Sequence, residues 1–93
     1  MVTAIIFLNV DRNEINDVAE KLTDMQGVSE VYSVGGRYDL IAIVRIKRNE
    51  DLADLVTNKM IKLKGIQNTE TMIAFRAYSK YDLEHMFSIG LEE

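Results

Sequence analysis

A chain of 93 residues and 10.6 kDa has room for one hydrophobic core and not for two domains. Fifteen acidic against eleven basic residues give a net charge of −4 and a pI near 4.9, which argues against free DNA or RNA as a direct partner, since such affinity is built on basic groups neutralising phosphates. The absence of Cys excludes disulfides, thiol catalysis and thiolate metal sites. No leader pattern or apolar run approaches the roughly 20 residues that span a bilayer, so a soluble, cytoplasmic protein without membrane contact is expected.

Thr3 to Val10 reads as a first strand that is greasy on both faces, with Ala4, Ile6, Leu8 and Val10 on one and Ile5 and Phe7 on the other. Asp11 and Glu14 resemble a capping box opening a helix whose stripe is Ile15, Val18, Ala19, Leu22 and Met25, and Gly27 closes it. Val28 to Val34 and Leu40 to Ile46 read as the second and third strands, joined through Gly35 and Gly36. Asn49 offers an N-cap to a second helix with a stripe of Leu52, Leu55, Val56, Met60 and Leu63, ended by Gly65. Thr69 to Tyr78 reads as a fourth strand, in which Ile73, Phe75 and Ala77 alternate with Met72, Ala74 and Arg76. Leu83, Met86 and Phe87 then recur at helical spacing, predicting a short C-terminal helix over about 80–90.

The order β-α-β-β-α-β predicts an α+β, ferredoxin-like domain over residues 1–93, with a core over about 2–78 and a four-stranded antiparallel sheet carrying both helices on one face. Strands apolar on both faces leave the other side of the sheet greasy. A sheet-to-sheet dimer is the expected cover, because a monomer rarely exposes so large an apolar patch.

Little in the chain carries catalysis. The sole His, His85, stands in the tail, the carboxylates are scattered, and no cofactor or metal site is expected. Val34-Gly35-Gly36-Arg37-Tyr38-Asp39-Leu40 places polar groups between two apolar strands, and on composition alone it is an ordinary hairpin turn.

Taken with Val28-x-x-Val31-x-x-Val34 before it and Leu63-Lys64-Gly65-Ile66-x-x-Thr69-x-Thr71 later, that segment resembles the effector-binding, or RAM, domain of the Lrp/AsnC transcriptional regulators. The resemblance covers the chain to about Ala77. It implies a non-enzymatic module that dimerises through its sheets, assembles into octamers or similar rings, and binds an amino-acid effector where dimers meet. Gly36, Arg37, Tyr38 and Asp39 match the effector loop, and Thr69 and Thr71 the alternating hydroxyls. Gly35 stands where many members have Thr or Ser, which removes a hydroxyl from the loop. The chain begins at the first strand of such a domain, so a stand-alone module is expected, able to pair with a full-length regulator. The alternative is a small dimeric α/β-barrel enzyme of the cofactor-free monooxygenase or isomerase type, which would need an acid/base cluster between helices and sheet.

Overall fold

In a computed structural model, which describes residues 1–78 and Lys80, the sheet is built from β1 (Val2–Val10), β2 (Val28–Ser33), β3 (Leu40–Ile46) and β4 (Ile66–Ile73). Their order is β2-β3-β1-β4 and every pairing is antiparallel, the ferredoxin-like arrangement. The strand with two greasy faces, β1, takes a central place. Its Ala4, Ile6, Leu8 and Val10 lie opposite Val44, Ala42 and Leu40 of β3 or beside them, and all are buried under the helices. Fully burying a Val, Leu or Ile side chain of this layer contributes about 1.5–3 kcal/mol, and the two alanines less.

Helix α1 (Ile15–Thr23) presses Val18 and Leu22 onto that layer. Only half of the expected capping box forms. The Asp11 carboxylate accepts from the Asn13 N–H at 3.3 Å, but residues 12–14 wind as a 3₁₀ turn, which sets Glu14 against Gly65 and points its carboxylate at Lys64, 3.6 Å away.

The second helix, α2 (Asn49–Asp54), starts at Asn49 itself; Arg48 is the N-cap, without a side-chain cap, and its Nε reaches the Asp51 carboxylate at 3.3 Å. Residues Leu55–Lys59 widen into a π-helical turn before a 3₁₀ turn over Met60–Lys62. The Thr57 hydroxyl donates to the Ala53 carbonyl at 2.6 Å, the kind of back-bonding that bends helices. In a π turn residue i+5 stacks on residue i, and the Met60 N–H accordingly reaches the Leu55 carbonyl. Leu55 and Met60, five apart, are thereby both buried.

β4 runs over Ile66–Ile73 and not to Tyr78. Its partner is exhausted: Ile73 pairs with Ala4, the Ala74 N–H donates to the Thr3 carbonyl, and β1 ends just beyond. Phe75, expected to alternate into the sheet, is instead wholly exposed. The C-terminal helix expected over 80–90 lies outside the described residues apart from Lys80, which is helical. No helix among the described residues is long and apolar enough to cross a membrane.

Candidate functional site

The β2–β3 connection is more than a hairpin turn, because β1 outruns β3 at this end of the sheet. The ladder between them stops at Leu8 opposite Leu40. Past that point Asp39 substitutes for a strand: its N–H donates to the Leu8 carbonyl at 2.9 Å and its Oδ2 accepts from the Val10 N–H at 2.8 Å. The Asp39 carbonyl also receives the Val34 N–H at 3.0 Å, closing the loop on itself. Asn9 Nδ2 donates to the Arg37 carbonyl at 2.7 Å.

Tyr38 crosses the sheet on the face away from the helices. Its ring packs on Phe7, with centroids 5.0 Å apart, and its hydroxyl donates to the carboxylate of Glu70, the residue paired with Phe7 on β4. That hydrogen bond favours the protonated phenol and, with desolvation, holds the Tyr38 pKa above the ordinary tyrosine value.

Five hydrogen bonds thus fix the base of the loop, while its tip is bare. Gly36 sits at φ +114°, and a Cβ built on either Gly35 or Gly36 would meet nothing within 4 Å. A ligand can approach the backbone here without steric penalty.

The Thr pair lies elsewhere. By register Thr69 stands opposite Leu8 and Thr71 opposite Ile6, so both side chains face the helix side, while Glu70 and Met72 face the open side with Ile5 and Phe7. Thr71 lines a groove of about 280 Å³ between α2 and β4. Within one protomer, then, Arg37, Tyr38 and Asp39 form one group with Gly36, and Thr69 and Thr71 form another across the sheet. A second cavity, of about 450 Å³, sits at the far end of β3 among Arg45, Lys47, Lys59, Asp51 and Asp54, and none of the sequence-predicted residues borders it.

Three residues that sequence reasoning passed over tie the loop down: Phe7, Asn9 and Glu70. The signal was present for Asn9, an amide in an apolar strand, and for Glu70, a charge between two threonines on a strand. Among the described residues no group of three or more His, Asp or Glu side chains is placed to hold a metal ion.

A family model described as the Lrp/AsnC ligand binding domain matches residues 3–83. The chain belongs to the Lrp/AsnC family. An uncharacterized HTH-type transcriptional regulator of Pyrococcus furiosus is 32% identical over 72 residues, which cover 77% of this chain and 49% of that protein. The chain spans about half the length of the curated relatives it matches, and these relatives are named as transcriptional regulators, which are not enzymes. Among solved structures, TTHA0845 from Thermus thermophilus is 42% identical with a TM-score of 0.81, covering 86% of this chain and 100% of that one. A transcriptional regulator of Neisseria meningitidis, solved as a complex with L-Met, has a TM-score of 0.77 at 12% identity, covering 84% and 52%; at that identity the likeness shows the fold alone. The chain thus presents the ferredoxin-like RAM domain of a family of transcription regulators.

Proposed function

We propose that this RAM domain senses a small effector of the amino-acid class and does so as an oligomer, its sheets paired face to face and its effector lodged where dimers meet. The observation that carries this reading is the loop itself, anchored at its base by Asp39, Arg37 and Tyr38 and bare at Gly35 and Gly36. A rigid base with an accessible backbone is what recognition of a small zwitterion requires. Tip N–H groups and the Arg37 guanidinium suit an α-carboxylate. The Asp39 carboxylate, one oxygen of which is engaged by Val10, retains acceptor capacity for an α-ammonium. Thr69 and Thr71, on the other side of the sheet, would serve only where a second chain brings its own loop to them.

The open face supports the pairing. Ile5, Phe7, Ile41 and Ile43 remain only partly covered, and Tyr32 and Met72 are half exposed. The coupling is linkage: an effector held between dimers favours the assembly that binds it better, and an octamer or ring so stabilised is then read by a partner, such as a full-length regulator joining mixed oligomers. Titration calorimetry against an amino-acid panel that includes L-Met, paired with sedimentation, tests it. Saturable binding that shifts the mass and weakens at least tenfold in Arg37→Ala is expected. Absence of binding across the panel by the assembled protein would refute it.

A further inference from the structure

The two halves of the fold repeat one joint. Each helix is followed by a glycine at positive φ, Gly27 at +98° and Gly65 at +100°; Gly65 faces the start of α1, and Gly27 the start of α2. The two joints are filled differently. At Gly65 the space is taken by Glu14, the residue just before Ile15 opens the apolar stripe of α1, so that a Cβ on the glycine would stand 2.6 Å from Glu14 Cβ. The counterpart before Leu52 is Asp51, one methylene shorter, and Arg48 draws its carboxylate aside, with Nε at 3.3 Å. The atoms nearest a Cβ on Gly27 accordingly belong to Ile46 and Arg45 of β3, and not to α2. Where the first joint is packed, the second holds the cavity of about 450 Å³. That volume falls within the roughly 300–1,000 Å³ of small-ligand sites.

The π turn belongs to the same place. The two buried residues of α1, Val18 and Leu22, are four apart, whereas Leu55 and Met60 are five apart, and the turn that takes up the added residue runs from Leu55 to Lys59, both of which border the cavity. Such turns are rare and gather at functional sites.

Charge decides what the cavity can hold. Its two carboxylates are already countered by the protein: Asp51 by Arg48, and Asp54 by Asn58 Nδ2, 2.6 Å from Oδ1, and by Lys59 Nζ, 3.8 Å from Oδ2. Lys47 makes no ion pair among the described residues. The contact of Lys59 is long and half exposed, the kind that contributes little and yields to a better partner. Arg45 stands opposite Thr3 and by register turns to the open face, which leaves Lys47 and Lys59 as the cations of the cavity.

We propose that this cavity is a second ligand site, taking a small organic anion whose phosphate or carboxylate groups meet Lys47 and Lys59 while its body lies against Ile46 and Leu55. Lysine suits such groups as a point charge. The seven residues of β3 separate the site from Asp39 by roughly 20 Å, so it is distinct from the effector loop and needs no second chain. An occupant fills over Gly27 the place that Glu14 fills over Gly65.

Amide NMR of the labelled chain tests this, with pyrophosphate, citrate and the dication putrescine titrated at constant ionic strength. Pyrophosphate or citrate should give saturable shifts centred on Gly27, Lys47, Asp51 and Lys59, the better binder telling phosphate from polycarboxylate, and putrescine should give none. Lys47→Gln and Lys59→Gln should each weaken binding at least about tenfold, while Lys62→Gln, outside the cavity, should change it less than about twofold. Absence of saturable shifts with both anions, shifts spread equally over Lys62 and Lys64, shifts confined to residues 36–39, or an affinity indifferent to both cavity variants overturns the site. Saturation by putrescine in place of the anions overturns the charge assignment on which it stands.

Discussion

Adding one methyl group at Gly65 and the same group at Gly36 should have very different consequences. Both glycines hold positive φ, +100° and +114°, a region that costs an L-residue about 1–2 kcal/mol. Their surroundings differ. A Cβ at Gly65 would stand 2.6 Å from Glu14 Cβ and 2.9 Å from Glu14 Cγ, and the first of these atoms cannot swing aside because it is fixed to the backbone. The Gly65 carbonyl also accepts the Asp11 N–H at 2.8 Å, so relief by backbone movement would break the joint between the second helix and the start of the first. Overpacking of this kind adds about 1–3 kcal/mol. Gly65→Ala should therefore lose about 2–5 kcal/mol and Gly36→Ala only about 1–2, out of the roughly 5–14 expected for a chain of this length. In thermal melts the two variants should be separated by about 5–20 °C. Urea unfolding at fixed protomer concentration reads the free energies directly, the concentration being fixed because association shifts apparent stability. Losses equal to within about 0.5 kcal/mol would refute the steric argument and leave only the backbone term common to both sites.

The carboxylate of Asp39 completes β1, so Asp39→Ala should cost about 1–3 kcal/mol by orphaning the Val10 N–H, while Asp39→Asn, which keeps an acceptor, should cost less than about 1; hydrogen exchange at Val10 checks this, and equal protection in wild type and Asp39→Ala would dismiss it. Tyr38 and Tyr32 both have raised pKa values through hydrogen bonds to Glu70 and Glu30, and a raised folded-state value stabilises below the unfolded pKa and is lost as pH climbs through the folded one. Tyrosinate absorbance should accordingly show late-titrating components that vanish singly in Tyr38→Phe and Tyr32→Phe; midpoints all at the free-tyrosine value of about 10 would contradict the bonds. Ile43→Glu, at the middle of the open face and paired with Ile5 and Glu30, should leave the far-UV spectrum intact and weaken self-association by at least about 2 kcal/mol, read by sedimentation. A wild type monomeric at micromolar concentration would end that reasoning.

The architecture was legible because its signals are local and repeated. The near-continuous apolar runs of β1 and β3 mark central strands covered on both sides, and the single stripes of the two helices mark what covers one of those sides. The boundaries that slipped did so for partner-dependent reasons. Alternation continues past Ile73 and predicts a last strand to Tyr78, but a strand ends where its neighbour ends, and nothing in residues 74–78 encodes where β1 begins. The five-residue step from Leu55 to Met60 falls out of phase with an α-helical stripe, and the π turn reconciles it.

At the site, separation along the chain decides what is legible before folding. Gly36, Arg37, Tyr38 and Asp39 were found because they are contiguous, and contiguity survives folding. The anchors Asn9 and Glu70 stand 28 and 32 residues from their partners, and only the pairing of β1 with β3 on one side and β4 on the other brings them under the loop. The threonine pair shows the converse. Thr69 and Thr71 alternate with Glu70, so the register that hands Glu70 to Tyr38 must turn both hydroxyls to the helix side. A Glu70 that holds the loop and threonines that touch the same ligand are therefore incompatible within one chain. If all six residues serve one effector, two chains must supply them, and binding is lost when that interface is broken, although a closed assembly still offers one site per chain.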